Sequence, residues 1–247
     1  MLGVFYFSST GNSLYIAKRI ASKFACKALY IPTASDVSCF NKVIIVSPIY
    51  YFGLPVHVYE FLAKLPHGTN VTVVLNYGGM VRGADYYTYK VGTDMNLNML
   101  AVYTVKMPEN FTLFFTPPKI INSLALKSAE KKIDTIIAKI QNGESFIPKV
   151  KKVDLNHYIK NKAAWRTLAR NFSVDETCTK CQKCVSLCPT HNILLNNGTI
   201  EFLDECVACL GCYHRCSQKT IRYKTLSKKY RYINPNIQET ELGKDVE

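Results

Sequence analysis

Eight of the chain's ten cysteines fall into two short runs of matched spacing. The first is Cys178-x2-Cys181-x2-Cys184-x3-Cys188, followed by Pro189. The second is Cys206-x2-Cys209-x2-Cys212-x3-Cys216. So small a segment cannot bury much core of its own, so its folding should be coupled to whatever the thiols bind. Zinc takes four ligands, usually from C-x2–4-C pairs set well apart, whereas every gap here is two or three residues. Disulfides need an oxidising compartment. The opening MLGVFYFSSTGN has neither a basic n-region nor a small-residue cleavage site, so no secretory signal is expected. Ligation of two [4Fe–4S] clusters gives all eight thiols a place. Cys26 and Cys39 match no ligand spacing and read as small core or surface thiols.

The two runs resemble those of bacterial ferredoxins over about residues 172–225. The resemblance implies crossed ligation, the fourth cysteine of each run serving the other cluster. One cluster then takes Cys178, Cys181, Cys184 and Cys216, and the other takes Cys206, Cys209, Cys212 and Cys188. Ser217 stands where the first run has its proline, which touches the shape of the turn and not the ligand set.

More than half of the 247 residues lie outside this segment and need a core of their own. Apolar strands are expected at Leu2–Phe7, Ala28–Ile31, Lys42–Ser47, Asn70–Leu75 and Asn98–Lys106. The Lys-Val-Ile-Ile-Val-Ser run is continuous, as in parallel sheets covered on both faces. Helices are expected at Asn12–Phe24 (Leu14, Ala17, Ala21 and Phe24 at helical spacing), Pro55–Leu65, about Met80–Val91 and about Lys119–Gln141, the last ended by Asn142-Gly143. Strand–helix alternation of this kind argues a doubly wound α/β domain over residues 1–145. A basic linker at 146–171, with a short helix around Lys160–Ala169, leads to the cysteine segment at 172–225. A polar tail fills 226–247. It ends in Glu239, Glu241, Asp245 and Glu247, has little to bury, and reads as mobile.

The first strand runs through Ser8-Ser9-Thr10-Gly11-Asn12-Ser13 straight into a helix. Unpaired N–H groups at a helix start, with hydroxyl and amide side chains before it, suit an anion. A plain N-cap is the bland alternative. The loop has no Lys and no G-x4-G-K-[ST], so it is not a triphosphate loop, and it lacks the G-x-G-x-x-G of dinucleotide sites. It resembles the phosphate loop of flavodoxins, S/T-x-T-G-N-S/T. That resemblance implies a five-stranded parallel sheet of order 2-1-3-4-5, an FMN phosphate on Ser8, Thr10, Asn12 and Ser13, with Ser9 and Gly11 in the same loop, and an isoalloxazine ring held by two later loops. These are Pro48-Ile49-Tyr50-Tyr51-Phe52-Gly53 and Asn76-Tyr77-Gly78-Gly79, both at strand carboxyl ends, where open α/β sheets bind ligands. No residue matches the acidic segment that some flavodoxins place beside the flavin.

Taken together the chain resembles the flavodoxin–ferredoxin fusion proteins of anaerobic bacteria and archaea, with a small α+β ferredoxin-like domain after the flavodoxin-like one. The resemblance implies FMN, two [4Fe–4S] clusters and a cytoplasmic electron-transfer protein. Either an electron carrier between proteins or an oxidoreductase acting on a quinone, flavin or nicotinamide fits. No Ser-His-Asp or Cys-His grouping is evident, and His191 reads as structural. The formal charge is +13. Cations concentrate at Lys149, Lys151, Lys152, Lys160, Lys162, Arg166 and Arg170, and again from Lys219 to Arg231. No nucleic-acid motif accompanies them. They read as a docking face for an acidic ferredoxin or flavodoxin, or as an ordinary solvated surface. The most apolar stretch, Val43–Ala63, is broken by Pro48, Gly53, Pro55, His57 and Glu60, so no membrane span is expected.

Overall fold

A computed structural model describes residues 1–149, 165–225 and 230–247. The N-terminal part is a five-stranded parallel sheet in the order β2-β1-β3-β4-β5. The strands are β1 (Leu2–Tyr6), β2 (Ala28–Tyr30), β3 (Lys42–Pro48), β4 (Asn70–Tyr77) and β5 (Asn98–Lys106). Helices α1 (Asn12–Lys23), α2 (Val56–Lys64), α3 (Ala84–Asp94) and α4 (Lys119–Gln141) alternate with them. After its first residue β3 is buried throughout, because both faces of a central parallel strand are covered. Phe5 packs on Phe61 of α2, ring centres 4.7 Å apart. Its neighbour Tyr6 points to the opposite face, where its hydroxyl donates to the Lys244 carbonyl at 2.6 Å.

Helix α3 starts later than its apolar pattern suggests. Arg82 and Gly83 both have positive φ, 45° and 84°, so the chain turns once more before the helix begins.

The cysteine segment is built from two antiparallel pairs and two short helices. Strand β6 (Phe172–Val174) pairs with β9 (Ile221–Tyr223), and β7 (Ile193–Asn196) with β8 (Thr199–Phe202). The helices are Lys183–Ser186 and Gly211–Arg215. Each run places left-handed residues at matching positions: Lys180 and Ala208, Gln182 and Leu210, His191 and Lys219, all with φ between 53° and 58°. Alternating left- and right-handed residues turn successive N–H groups into a concavity that favours anionic sulfur.

The C-terminal residues depart from expectation. Tyr232, Asn234, Ile237 and Leu242 are buried. Ala28 and Val246 exchange backbone hydrogen bonds of 2.7 and 2.8 Å beside β2. Lys18 pairs with Glu241, and Glu239 pairs with both Lys183 and Arg215. Local composition pointed to a mobile tail because the groups that satisfy its polar atoms lie some 200 residues away in sequence.

The basic linker falls largely outside the described residues, Lys151, Lys152, Lys160 and Lys162 included. Two of its described cations pair within the chain: Arg166 with Glu205 at 3.2 Å and Arg170 with Asp204 at 2.7 Å. Of the expected helix, residues 165–169 are described: 165–168 are α-helical and Ala169 opens a 3-10 turn, Ala169–Asn171.

Candidate functional site

A cleft of about 310 Å3 opens where β3, β4 and β5 end, within the size range of small-molecule sites. One wall is Pro48, Ile49, Tyr50, Tyr51 and Phe52, and another is Asn76, Tyr77, Gly78 and Gly79. Asn12 reaches it from the first loop. Gly53 stays behind the wall, exchanging backbone hydrogen bonds of 3.0 and 3.1 Å with Tyr50. Tyr51 and Phe52 have φ of 47° and 69°, a costly conformation for side-chain-bearing residues that must be held by its surroundings. Those surroundings are aromatic: Tyr51 meets Phe111 at 5.5 Å and the buried Trp165 at 5.3 Å, and the Arg82 guanidinium lies 5.0 Å from the centre of the Phe52 ring. Burial raises the Tyr50 phenol well above its ordinary range, with nearby Cys209 adding to the effect, and pushes Tyr51 up to about 12. Both stay neutral at physiological pH and offer flat apolar faces, not acid–base chemistry.

Two further walls were not anticipated. The loop after β5 contributes Pro108, Glu109, Asn110 and Phe111, and the cysteine segment contributes Ala208 and Leu210. Gly78 lets the first of these approach: a Cβ there would lie 2.5 Å from Glu109 Cα. Glu109 therefore puts a carboxylate beside the cleft, where no acidic residue was expected. The rule that ligands gather at strand carboxyl ends applies to β5 as it does to β3 and β4, and it was the signal available for this loop.

The Ser8–Ser13 loop is buried except for what it shows to the cavities. Gly11, with φ of 95°, occupies the N-cap of α1, and no side chain among the described residues caps the helix. Its first N–H groups thus lack the protein partner that a capping side chain supplies. The Ser8 hydroxyl accepts from the Gly11 N–H at 3.0 Å. Thr10 Oγ1 accepts from Asn110 Nδ2 at 2.9 Å, and Ser13 Oγ from Asn76 Nδ2 at 2.7 Å. Each of these hydroxyls accepts there and still has a proton to donate. The Asn12 side chain is committed elsewhere. Its amide donates to the Pro108 carbonyl at 3.0 Å, and its oxygen accepts from Tyr232 at 2.7 Å and Asn234 at 3.1 Å. Ser9 donates to the Cys209 carbonyl at 2.6 Å and lies 3.2 Å from the Tyr50 hydroxyl. Ser8 and Ser9 also line a second cavity with Arg215 and Cys188. Thr10, Gly11 and Ser13 are in the wall of neither cavity.

The eight clustered cysteines divide between two small cavities. Cys178, Cys181, Cys184 and Cys216 line one; Cys188, Cys206, Cys209 and Cys212 line the other. Backbone N–H groups of Asn192 and Ala208 donate to the Cys188 and Cys206 sulfurs at 3.2 and 3.3 Å. Burial pushes the Cys206 and Cys209 thiols up to about 11 and 12, and raises Cys212 well above its ordinary value. Buried thiols of this kind ionise only with a positive centre beside them. Burial also acts on Cys216, but hydrogen bonds from the Thr220 hydroxyl and nearby backbone outweigh it and hold that thiol low. None of the ten cysteines is in a disulfide; Cys26 is half-buried and Cys39 exposed. Among the described residues no group of three or more His, Cys, Asp or Glu is arranged to hold a single metal ion, and no helix is long and apolar enough to cross a membrane.

Residues 3–111 match the family described as Flavodoxin domain. Among solved structures the chain is similar to the two-electron reduced flavodoxin of Megasphaera elsdenii, at 20% identity over 53% of this chain and 99% of that one, with a TM-score of 0.40. It is similar to a flavodoxin from the domain Archaea at 12% identity, over 55% and 97% of the two chains, TM-score 0.38. The flavodiiron protein of Giardia intestinalis is 15% identical over 58% of this chain and 37% of its own length, TM-score 0.37. No curated protein matches the chain. The family match and the 2-1-3-4-5 strand order agree: the N-terminal part of the chain is a flavodoxin-like domain.

Proposed function

We propose that the protein is an iron–sulfur flavoprotein that relays electrons between two [4Fe–4S] clusters and FMN and exchanges them with other redox proteins. One observation carries this reading. Ala208 and Leu210 stand in the cleft wall on either side of Cys209, while Cys209 itself lines the adjoining cysteine cavity. A bound flavin would hold one or two electrons and each cluster would pass one, so joining the sites this closely suits a relay.

The chain's own groups fit both kinds of cofactor. The hydroxyls of Ser8, Thr10 and Ser13 and the uncapped start of α1 would hold the phosphate. Tyr50, Tyr51, Tyr77 and Phe111 would hold the ring, with Gly78 and Gly79 at its edge. The two four-cysteine sets would each hold a cluster. The loop lacks a dinucleotide fingerprint, which favours FMN over FAD. The set of Cys178, Cys181, Cys184 and Cys216 is the one away from the cleft. Cys181 is exposed there, with exposed Lys180 next to it in sequence and exposed Lys219 shortly after Cys216 of the same set, so this end suits an acidic ferredoxin or flavodoxin.

Anaerobically purified protein should contain about eight irons and eight sulfides, and the flavin it releases should have the mass of FMN. A redox titration followed by visible and EPR spectra should resolve flavin and cluster signals. Stoichiometric zinc without sulfide would overturn the cluster reading, and adenine in the released flavin would overturn FMN. A second reading is an oxidoreductase whose FMN reduces or oxidises a quinone, flavin or nicotinamide. It is favoured by Met80, which is in the cleft wall and 57% exposed, so the cleft reaches solvent. Turnover with reduced ferredoxin across a panel of such molecules separates the two.

A further inference from the structure

Three consecutive residues of the first loop are held by the C-terminal segment. The Thr10 carbonyl accepts from the Asn234 N–H at 2.8 Å. Gly11 faces the same segment so closely that a Cβ on it would lie 3.1 Å from Asn234 and 3.2 Å from Ile237. Asn12 Oδ1 accepts from the Tyr232 hydroxyl at 2.7 Å and from Asn234 Nδ2 at 3.1 Å. The segment is anchored in turn to the cysteine segment. The Tyr232 N–H donates to His214 Nδ1 at 3.1 Å, so the proton of this buried imidazole sits on Nε2, which donates to the Asn110 carbonyl at 2.7 Å. Asn110 closes the ring by donating to Thr10 Oγ1. Thr10, Asn12, His214, Tyr232 and Asn234 are all buried, and satisfied polar networks away from water hold one geometry.

We infer that Tyr232 and Asn234 are positioning residues for the cofactor's phosphate, acting through Thr10, Gly11 and Asn12. This rests on the FMN reading above. A helix start with no acidic residue in its first turn and no side-chain cap, and with no Lys or Arg from Phe7 to Ile16, favours a doubly charged phosphate through its own N–H and hydroxyl donors kept in one arrangement. The loop's side chains do not supply that fixity, because Asn12 spends its amide oxygen on the C-terminal segment and its N–H on Pro108. The fixity comes from a segment some 220 residues later. Neither Tyr232 nor Asn234 lines the cleft, so neither touches the ring's site.

The test compares two flavins that differ only in the phosphate. Full-length protein, prepared anaerobically, is depleted of flavin and titrated with FMN and with riboflavin, following flavin fluorescence. Tyr232→Phe removes one hydroxyl, and Asn234→Ala removes one amide while keeping the backbone bond to Thr10. Each variant should weaken FMN about tenfold, as for loss of a hydrogen bond that fixes a charged group, and leave riboflavin unchanged. The wild-type preference for FMN therefore collapses. Tyr232→Phe alone suffices should Asn234→Ala fold poorly. Equal losses for both flavins, or unchanged FMN affinity, would overturn the inference while leaving FMN as the cofactor. Wild-type protein that takes up neither flavin would overturn the cofactor reading and the inference together.

Discussion

Gly78→Ala isolates one close approach. The added Cβ would lie 2.5 Å from Glu109 Cα and 2.6 Å from Glu109 Oε2, whereas carbon atoms in contact settle at about 3.5–4.0 Å. The carboxylate can swing aside, but the Cα cannot move without its loop. Gly78 follows β4, which is fixed in register to β3 and β5 on either side, so the yielding element is the loop at 107–111. That loop must retreat by roughly 1 Å, taking Pro108, Asn110 and Phe111 out of the cleft wall. Overpacking of this kind costs about 1–3 kcal/mol, which on binding is a 5- to 150-fold rise in the FMN Kd. Gly78 does not have a positive φ, so backbone strain adds nothing. Gly79→Ala is the control: its Cβ would meet Glu109 Oε2 alone, at an ordinary 3.5 Å, and the melting temperature should not change. Fluorescence titration with FMN reads the effect. Wild-type affinity in Gly78→Ala would show that the β5 loop does not shape the flavin site.

Cys216→Ser should damage the cluster of the Cys178, Cys181 and Cys184 cavity and spare the one beside the cleft, and Cys188→Ser should do the reverse; EPR of the reduced proteins distinguishes them. His57 packs on Phe7 at 5.3 Å with Nε2 buried, and no hydrogen-bond partner for that atom is present among the described residues. Burial lowers its pKa below 6.5, so the unfolded chain binds the proton more tightly. The contribution is complete above pH 6.5 and declines as pH falls from there toward the folded value. His57→Phe should flatten denaturant-measured stability across that window, and an unchanged slope would refute the assignment. Electron exchange with an acidic ferredoxin should slow as salt rises, with a screening length of about 10 Å at 0.1 M, and Lys180→Glu with Lys219→Glu should flatten that dependence in stopped-flow rates.

The sheet was legible because β3 advertises two buried faces in an unbroken Val-Ile-Ile-Val run, and because Gly11 marks the turn into α1. The β3 and β4 loops that line the cleft were legible from their position at strand ends. Glu109 was not, since the β5 loop becomes a wall only through its approach to Gly78. The C-terminal segment was misread for a related reason. Tyr232 and Asn234 look solvated in a polar stretch, and become core when Asn12 and Thr10 supply their partners. In the basic linker, Arg166 and Arg170 have Glu205 and Asp204 across from them, a pairing that a running tally along the chain does not register.

The wall formed by Ala208 and Leu210 also sets an order of events in time. The flavodoxin-like domain is complete at α4, well before Cys178 leaves the ribosome, and domains fold N-terminal first as they emerge. During synthesis its cleft therefore stands open on the side that the second cysteine run will later close. Flavin that arrives in this interval enters freely. In the finished protein that side is covered by the cysteine-bearing chain, strapped down through Tyr232 and Glu239, and the cleft meets solvent at Met80. Under the relay proposed above, flavin uptake should therefore be faster during synthesis than into the mature protein, and clusters, whose ligands emerge last, would be assembled after it.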